Sequence, residues 1–175
     1  MNDTEIERYS RHILLNEFDI VSQEKLSSAT ALMIGCGGLA NACAPILASA
    51  GLGHIIVCDG DTIELSNLQR QFAFTEADIG KHKAEVLKTY LQARNSQIQI
   101  SSIHQFVDET LLHDCLPQCD VIIDCSDNSR TRHLINRLAV QHRIPLISAS
   151  VIQFSGQLAV FDSRNQQSPC YACLF

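Results

Sequence analysis

Ala29-Thr30-Ala31-Leu32-Met33-Ile34 runs directly into Gly35-Cys36-Gly37-Gly38-Leu39-Ala40, and the chain then stays apolar almost all round to Gly51. That order predicts a buried strand, a glycine-rich turn and a helix covered on both sides. It matches G-x-G-x-x-G/A in the strand–turn–helix setting that the pattern needs. The first glycine permits a tight turn, the second lets backbone approach a pyrophosphate, and the small Ala40 keeps helix and sheet close. The helix N-terminus offers free N–H groups to phosphate. A second apolar strand, Ile55 to Cys58, is closed by Asp59-Gly60-Asp61, and Asp59 stands where a carboxylate accepts hydrogen bonds from ribose hydroxyls. The pattern implies an adenosine nucleotide and leaves NAD and ATP both open. No G-x-x-x-x-G-K-[ST] occurs, which excludes a P-loop NTPase.

The rest of the chain alternates in the same way. Helices are expected over Thr4 to Leu15 (Ile6, Tyr9, Ile13 and Leu14 at helical spacing), Gln23 to Ser28, Leu39 to Gly51, Lys81 to Arg94, Asp108 to Cys115, and Asn128 to His142. In the last, Leu134, Leu138 and Val140 are expected to face inward. Pro45 predicts a kink in the third. Further strands are expected at Ile98–Ile103, Val121–Ile123, from Pro145 to Ser148 and from Gln157 to Phe161. Strands alternating with helices mean βαβ units and right-handed crossovers. The fold class is therefore α/β: a doubly wound, mainly parallel Rossmann-like sheet with an N-terminal helical segment.

At 175 residues, with no repeat or Pro/Gly linker, the chain reads as one domain. Thirteen cations among nineteen anions cannot assemble a strongly basic face, so nucleic acid is not an expected partner. No apolar run approaches the length of a membrane span and the first residues are polar and acidic, so no membrane segment or signal peptide is expected, and the setting reads as cytoplasmic. Of eight cysteines, Cys36, Cys43, Cys58 and Cys125 lie in apolar segments and read as small buried thiols. Cys170-Tyr171-Ala172-Cys173 alone has ligand-like spacing, and a reduced protein fits this usage better than a disulfide scaffold. The seven histidines form no ligand-like motif and read as surface or boundary residues.

The segment after the second strand separates ATP from NAD. A polar loop, Asp61-Thr62-Ile63-Glu64-Leu65-Ser66-Asn67-Leu68-Gln69-Arg70-Gln71-Phe72, replaces the next βαβ unit of a dehydrogenase. Lys83 and the Asp124-Cys125-Ser126-Asp127-Asn128 stretch lie further on. In an open α/β sheet the carboxyl ends of the strands converge on the ligand crevice. Arginine, lysine and a carboxylate meeting there suit a triphosphate with Mg²⁺, which needs one or two carboxylates plus phosphate oxygens.

Arg8-Tyr9-Ser10-Arg11-His12-Ile13-Leu14, Gly35-x-Gly37-Gly38, Asp59-x-Asp61, Leu65-Ser66-Asn67-Leu68-Gln69-Arg70-Gln71, Asp124-Cys125-x-Asp127-Asn128 and Pro169-Cys170-Tyr171-x-Cys173 resemble the bacterial relatives of ubiquitin-activating enzyme. These are the adenylyltransferases that activate the sulfur carriers of molybdopterin and thiamine biosynthesis. The resemblance runs from about Glu7 to Phe175, and its most specific element is the Ser-Asn-Leu-Gln-Arg-Gln string. It implies ATP, Mg²⁺ and a ubiquitin-fold sulfur carrier whose C-terminal Gly-Gly carboxylate becomes adenylylated as pyrophosphate leaves. It implies nucleotide contacts from Gly35, Gly37, Gly38, Asp59, Asp61, Asn67, Arg70, Gln71, Lys83 and Asn128, and Mg²⁺ held by Asp127. Arg70, Lys83 and Asp127 would act in catalysis, with Arg11 reaching the neighbouring subunit's site in a homodimer. The domain then divides into N-terminal helices (1–28), core (29–162) and the start of a zinc and crossover region (163–175). Cys170 and Cys173 would be half of a Cys₄ zinc site where a second Cys pair is supplied; without one, as in this sequence, they read as two reduced thiols or a weak, adventitious metal site. Relatives are expected to continue for about 70 residues beyond Phe175, judged by usual domain size. The molybdopterin type is favoured over the thiamine type. Two alternatives stand beside this: a nucleotide-binding or dimerisation module without turnover, and an NAD-dependent oxidoreductase.

Overall fold

A computed structural model describes residues 1–165 and 167–175. Two helices, α1 (Asp3–Ile13) and α2 (Ile20–Ser28), precede β1 (Thr30–Ile34), α3 (Gly38–Ala50) and β2 (His54–Cys58). After a long loop come α4 (Lys83–Arg94), β3 (Gln99–Ile103), α5 (Glu109–Cys115), β4 (Val121–Asp124) and α6 (Ser129–His142). The hairpin β5 (Leu146–Ile152) and β6 (Ser155–Phe161) and a short α7 (Tyr171–Leu174) complete the order. The six strands form one sheet in the order β3-β2-β1-β4-β5-β6. All neighbours are parallel except β5 and β6. The expected doubly wound, mainly parallel sheet is what forms.

Both faces of the central strands are buried, which is why their sequences read as unbroken apolar runs. Ala31, Met33, Ile55, Val57 and Ile123 pack with α3 and α4 (Ala40, Ala44, Ala48, Leu87, Leu91). Leu32, Ile34, Ile56 and Ile122 pack on the other face with Leu112 of α5 and Ile135 and Leu138 of α6. The winding reverses between β1 and β4, which pair Ile34 with Asp124 at their carboxyl ends. A ligand crevice opens at such a reversal.

Several local expectations need correction. Val140 is 42% exposed; the inward line of α6 is Arg132, Ile135, Asn136, Leu138 and Ala139. The spacing of the apolar residues missed this phase because two polar side chains, Arg132 and Asn136, occupy buried positions. In α1 only Tyr9 is buried, while Ile6 and Leu14 are exposed. Helix α2 begins at Ile20, three residues earlier than expected, because Asp19 caps it by accepting from the Ser22 N–H. Strands β5 and β6 are seven residues each and close a hairpin in which Ile152 pairs with Ser155. On one face of that hairpin Val151, Leu158 and Val160 are exposed. No helix of the described residues is long and apolar enough to cross a membrane.

Candidate functional site

The site begins at the turn between β1 and α3. Gly35 has φ +90°, and its N–H bonds the Cys58 carbonyl at 2.9 Å. A Cβ here would meet the Cys125 carbonyl oxygen at 2.8 Å, so only glycine lets β1, β2 and the end of β4 close together. Gly37 is the N-cap of α3 and Gly38 its first residue, with no side chain over the first turn. The backbone N–H groups of that turn are therefore presented to an anion.

Asp59, at the end of β2, is tied to the same turn. Its Oδ2 accepts from the Cys36 N–H at 2.6 Å and its Oδ1 from the Asp61 N–H at 2.7 Å. Burial pushes its carboxyl above the ordinary aspartate range, opposed by those two donors and by the charge of Lys83. Lys83, at the start of α4, is buried, and its Nζ donates to Asp61 Oδ2 at 2.8 Å. The loop from Ile63 to Lys81 closes on itself through Ile63 N–H to the Lys81 carbonyl and Gly80 N–H to the Ile63 carbonyl, both 2.9 Å. That closure delivers Lys83 beside Asp61.

The arginine loop packs across the glycine turn. Asn67 is buried, with its Oδ1 accepting from the Glu64 N–H at 3.1 Å, while exposed Arg70 donates to the Ser66 carbonyl at 3.1 Å. The Arg70 stem lies 3.6 Å from where a Gly38 Cβ would stand, and Gln71 Nε2 3.8 Å from that of Gly37. Gln71 is 2% exposed, and its Oε1 has no hydrogen-bond partner among the described residues. A buried amide with an unused oxygen beside a side-chain-free helix start fits a polar ligand there.

Sequence reasoning passed over Asn41. It is fully buried in α3, donates to the Cys36 and Gly37 carbonyls at 3.0 Å each, and accepts from the Ala73 N–H at 2.8 Å. One side chain thus fastens the glycine turn to the arginine loop. The available signal was a lone amide in an otherwise apolar helix. Asp124, read in the sequence only as part of the stretch that carries Asp127, has a role of its own. It is fully buried and accepts from the Ser126 N–H and hydroxyl and from the Ser148 hydroxyl. Arg132 donates to the Ser126 and Ala149 carbonyls. This network holds the turn that exposes Asp127, whose carboxylate accepts from Asn128 Nδ2 at 3.5 Å. Asn128 is spent as the N-cap of α6, accepting from the Thr131 N–H at 2.9 Å.

Arg11 stands apart from this assembly. Its neighbour Tyr9 bonds Asn95 and lies against Gly51, which caps the far end of α3. Thirteen residues of α3 separate that end from the glycine turn, about 20 Å at the rise of an α-helix. Cys170 and Cys173 are also separate, held on α6, with their sulfurs 3.6 Å apart. Two thiolates on a tetrahedral zinc with Zn–S of about 2.3 Å would be about 3.8 Å apart, so the pair fits one edge of such a site. No group of three or more metal-ligating side chains occurs among the described residues. Cys36, Cys58 and Cys125 are buried thiols as expected, the last two pushed up to about 12 by burial, whereas Cys43 is half-buried.

Residues 9–175 match the ThiF family model. The chain belongs to the ThiF family. Similar proteins include the sulfur carrier protein ThiS adenylyltransferase of Escherichia coli K12, 42% identical over all of this chain and 69% of that protein. The molybdopterin-synthase adenylyltransferase of the same organism is 37% identical over 99% of this chain and 70% of its own length. The adenylyltransferase and sulfurtransferase MOCS3 of Culex quinquefasciatus is 42% identical over the whole chain. This ThiF-family chain spans 40% of that relative's length. Among solved structures, Escherichia coli MccB with ATP superposes with a TM-score of 0.84 at 36% identity, covering 99% of this chain and 52% of MccB.

Proposed function

We propose that this ThiF-family chain is the nucleotide-activating part of an enzyme that adenylylates the C-terminal Gly-Gly carboxylate of a ubiquitin-fold sulfur carrier. The observation that carries this reading is the packing of the Arg70–Gln71 loop over the Gly37–Gly38 helix start, next to the anchored Asp59. The similarity to the ThiS adenylyltransferase and the molybdopterin-synthase adenylyltransferase of Escherichia coli supports the same chemistry. Both carriers present the same terminal carboxylate, and the molybdopterin type is the first to be tried.

In the proposed reaction the carrier carboxylate attacks the α-phosphorus of ATP, forming an acyl-adenylate and releasing pyrophosphate. A carboxylate is already ionised at neutral pH, so no general base is required. The task is to bring two anions together, which positioning and fixed positive charge accomplish. Asp59 accepts from the ribose hydroxyls, and the Gly35, Gly37 and Gly38 backbone lies under the phosphates. Arg70, Lys83 and Asn67 hold the triphosphate, and Gln71 contacts the nucleotide beside them. Lys83 is already buried and oriented by Asp61, so its charge is fixed before substrate arrives. Mg²⁺, when bound, would offset phosphate charge, with the exposed Asp127 as its protein ligand and Asn128 fixing the turn beside it.

Arg11, two residues from the Tyr9 that packs on Gly51 at the far end of α3, is assigned to the site of a second copy, so the active unit is a homodimer. The exposed Val151, Leu158 and Val160 face supports a protein partner, since contiguous apolar surface of this kind marks interaction sites. Cys170 and Cys173 would hold zinc where two further thiolates are supplied. The division into helices 1–28, core 29–162 and a zinc region from 163 belongs to the same proposal. Incubation with ATP, Mg²⁺ and a carrier ending in Gly-Gly tests it. Carrier-dependent pyrophosphate release is expected. Nucleotide binding without turnover, with the carrier shown to bind, would point instead to a dimerisation module.

A further inference from the structure

Where α1 meets the ends of α3 and α4, a pocket of about 320 Å³ is lined by His12, Pro45, Ile46, Ser49, Ala50 and Arg94. Gln23 of α2 is fully buried, and its Nε2 donates to the Ala50 carbonyl at 2.9 Å, which leaves its Oε1 to His12 Nδ1 at 3.1 Å. An amide oxygen only accepts, so Nδ1 carries the hydrogen and Nε2 is the ring nitrogen left for a ligand. Arg94 lies over Tyr90, its guanidinium 5.0 Å from the ring centre and its Nη2 donating to the Tyr90 hydroxyl at 2.5 Å. Arg8 is drawn to the same place, with Nη1 donating to the Arg94 carbonyl at 3.4 Å. We propose that this pocket binds a small carboxylic acid: one carboxylate, held by Arg94 and His12, on a short apolar body.

Charge, wall chemistry and size select that ligand. Among the described residues no carboxylate lies within 4.0 Å of Arg8, His12 or Arg94. With nineteen acidic side chains in the chain, a basic cluster left unpaired calls for an anion from outside. A guanidinium grips a carboxylate or a phosphate through two parallel N–H donors, so the walls must choose between them. Pro45, Ile46 and Ala50 are apolar, and Ile46 is 69% exposed in the middle of α3. A bare phosphate would leave that surface wet, whereas an apolar body covers it. The pocket also lies against the last turn of α3, whose dipole repels negative charge and favours one charge over two. Its volume is at the lower end of small-ligand sites. The glycine turn is at the opposite end of α3, so this pocket is not part of the nucleotide crevice.

The inference is independent of the adenylylation reading, because its readout needs neither nucleotide nor carrier. The experiment titrates the full chain with 3-phenylpropionate, with its neutral amide and with inorganic phosphate, and follows the His12 ring and Ser49 amide resonances by NMR. Saturable shifts with 3-phenylpropionate are expected, and binding about 10–100-fold weaker for the amide, which lacks the charge. Phosphate is expected to bind more weakly than the acid. Arg94→Gln, at an exposed position, should weaken the acid by about 10–100-fold at an unchanged melting temperature. Ile46→Asp, also exposed, should abolish binding in the folded chain. Equal affinity for acid and amide, or undiminished affinity in Arg94→Gln, would overturn the proposal. Phosphate binding as tightly as the acid would reduce the pocket to an unselective basic patch and overturn it too. So would an intact chain that binds no acid and is a dimer until Ile46→Asp makes it a monomer, since the pocket would then be filled by a second copy.

Discussion

At the scale of single residues, Gly35 is held at φ +90°, and a Cβ there would come within 2.8 Å of the Cys125 carbonyl oxygen. Gly35→Ala is expected to lower the melting temperature and abolish nucleotide binding, measured by calorimetry on the variant with and without ATP. Retained binding would mean that the turn does not carry the phosphates. The cysteines give a second prediction. With pKa pushed up to about 12, Cys58 and Cys125 are thiolate at pH 8 in only about one molecule in 10⁴. Cys170 is held below the ordinary thiol value, chiefly by the Asn136 hydrogen bond, and Cys173 is exposed. Raising the pH from 6 to 8 should therefore increase alkylation at Cys170, while Cys58 and Cys125 stay unlabelled until the chain unfolds. Peptide mapping after brief treatment with iodoacetamide reads this directly.

At the scale of elements, strands β1, β2 and β4 were easy to read because both faces are buried and the whole run is apolar. The edges were harder. β5 runs on past Ser148 to the exposed Val151 and Ile152, and β6 begins at the exposed Ser155 and Gly156, so no burial pattern marked those ends. Helix α6 was found but mis-phased, because Arg132 and Asn136 turn inward to serve the Ser126 carbonyl and the Tyr171 N–H. Buried polar residues with partners distant in sequence are invisible to periodicity. Asn41 is the sharpest instance, since its partner Ala73 lies 32 residues on. Asn41→Ala leaves the buried Ala73 N–H unpaired and is expected to cost about 1–3 kcal/mol in chemical denaturation. The same variant should weaken ATP binding, because the arginine loop loses its tie to the glycine turn. Leu138→Ala, fully buried between α6 and the sheet, should cost about 2–5 kcal/mol with no specific effect on nucleotide. Comparing the two separates loss of stability from loss of site geometry.

At the scale of the whole molecule, one copy assembles Asp59, Asp61, Lys83, Asn67, Arg70 and Gln71 around the glycine turn but leaves Arg11 at the other end of α3. Sequence spacing showed which residue types were present without showing that separation, because α1 is placed by Tyr9, Gly51 and Asn95 rather than by any local pattern. A shared site makes a clear prediction. Arg11→Ala and Asp127→Ala chains, each inactive alone, should regain activity when mixed and allowed to exchange subunits, since one of the two sites in a mixed dimer is intact. No recovery with verified exchange would remove Arg11 from the partner's site. The central claim, that this glycine turn and arginine loop activate a carrier carboxylate, rests on Arg70 and Asp127 acting on the triphosphate. Its most direct test is carrier-dependent exchange of labelled pyrophosphate into ATP. Exchange that requires the carrier and falls by about 10²–10³-fold in Arg70→Ala and in Asp127→Ala is the expected result; undiminished exchange in either variant would contradict the account.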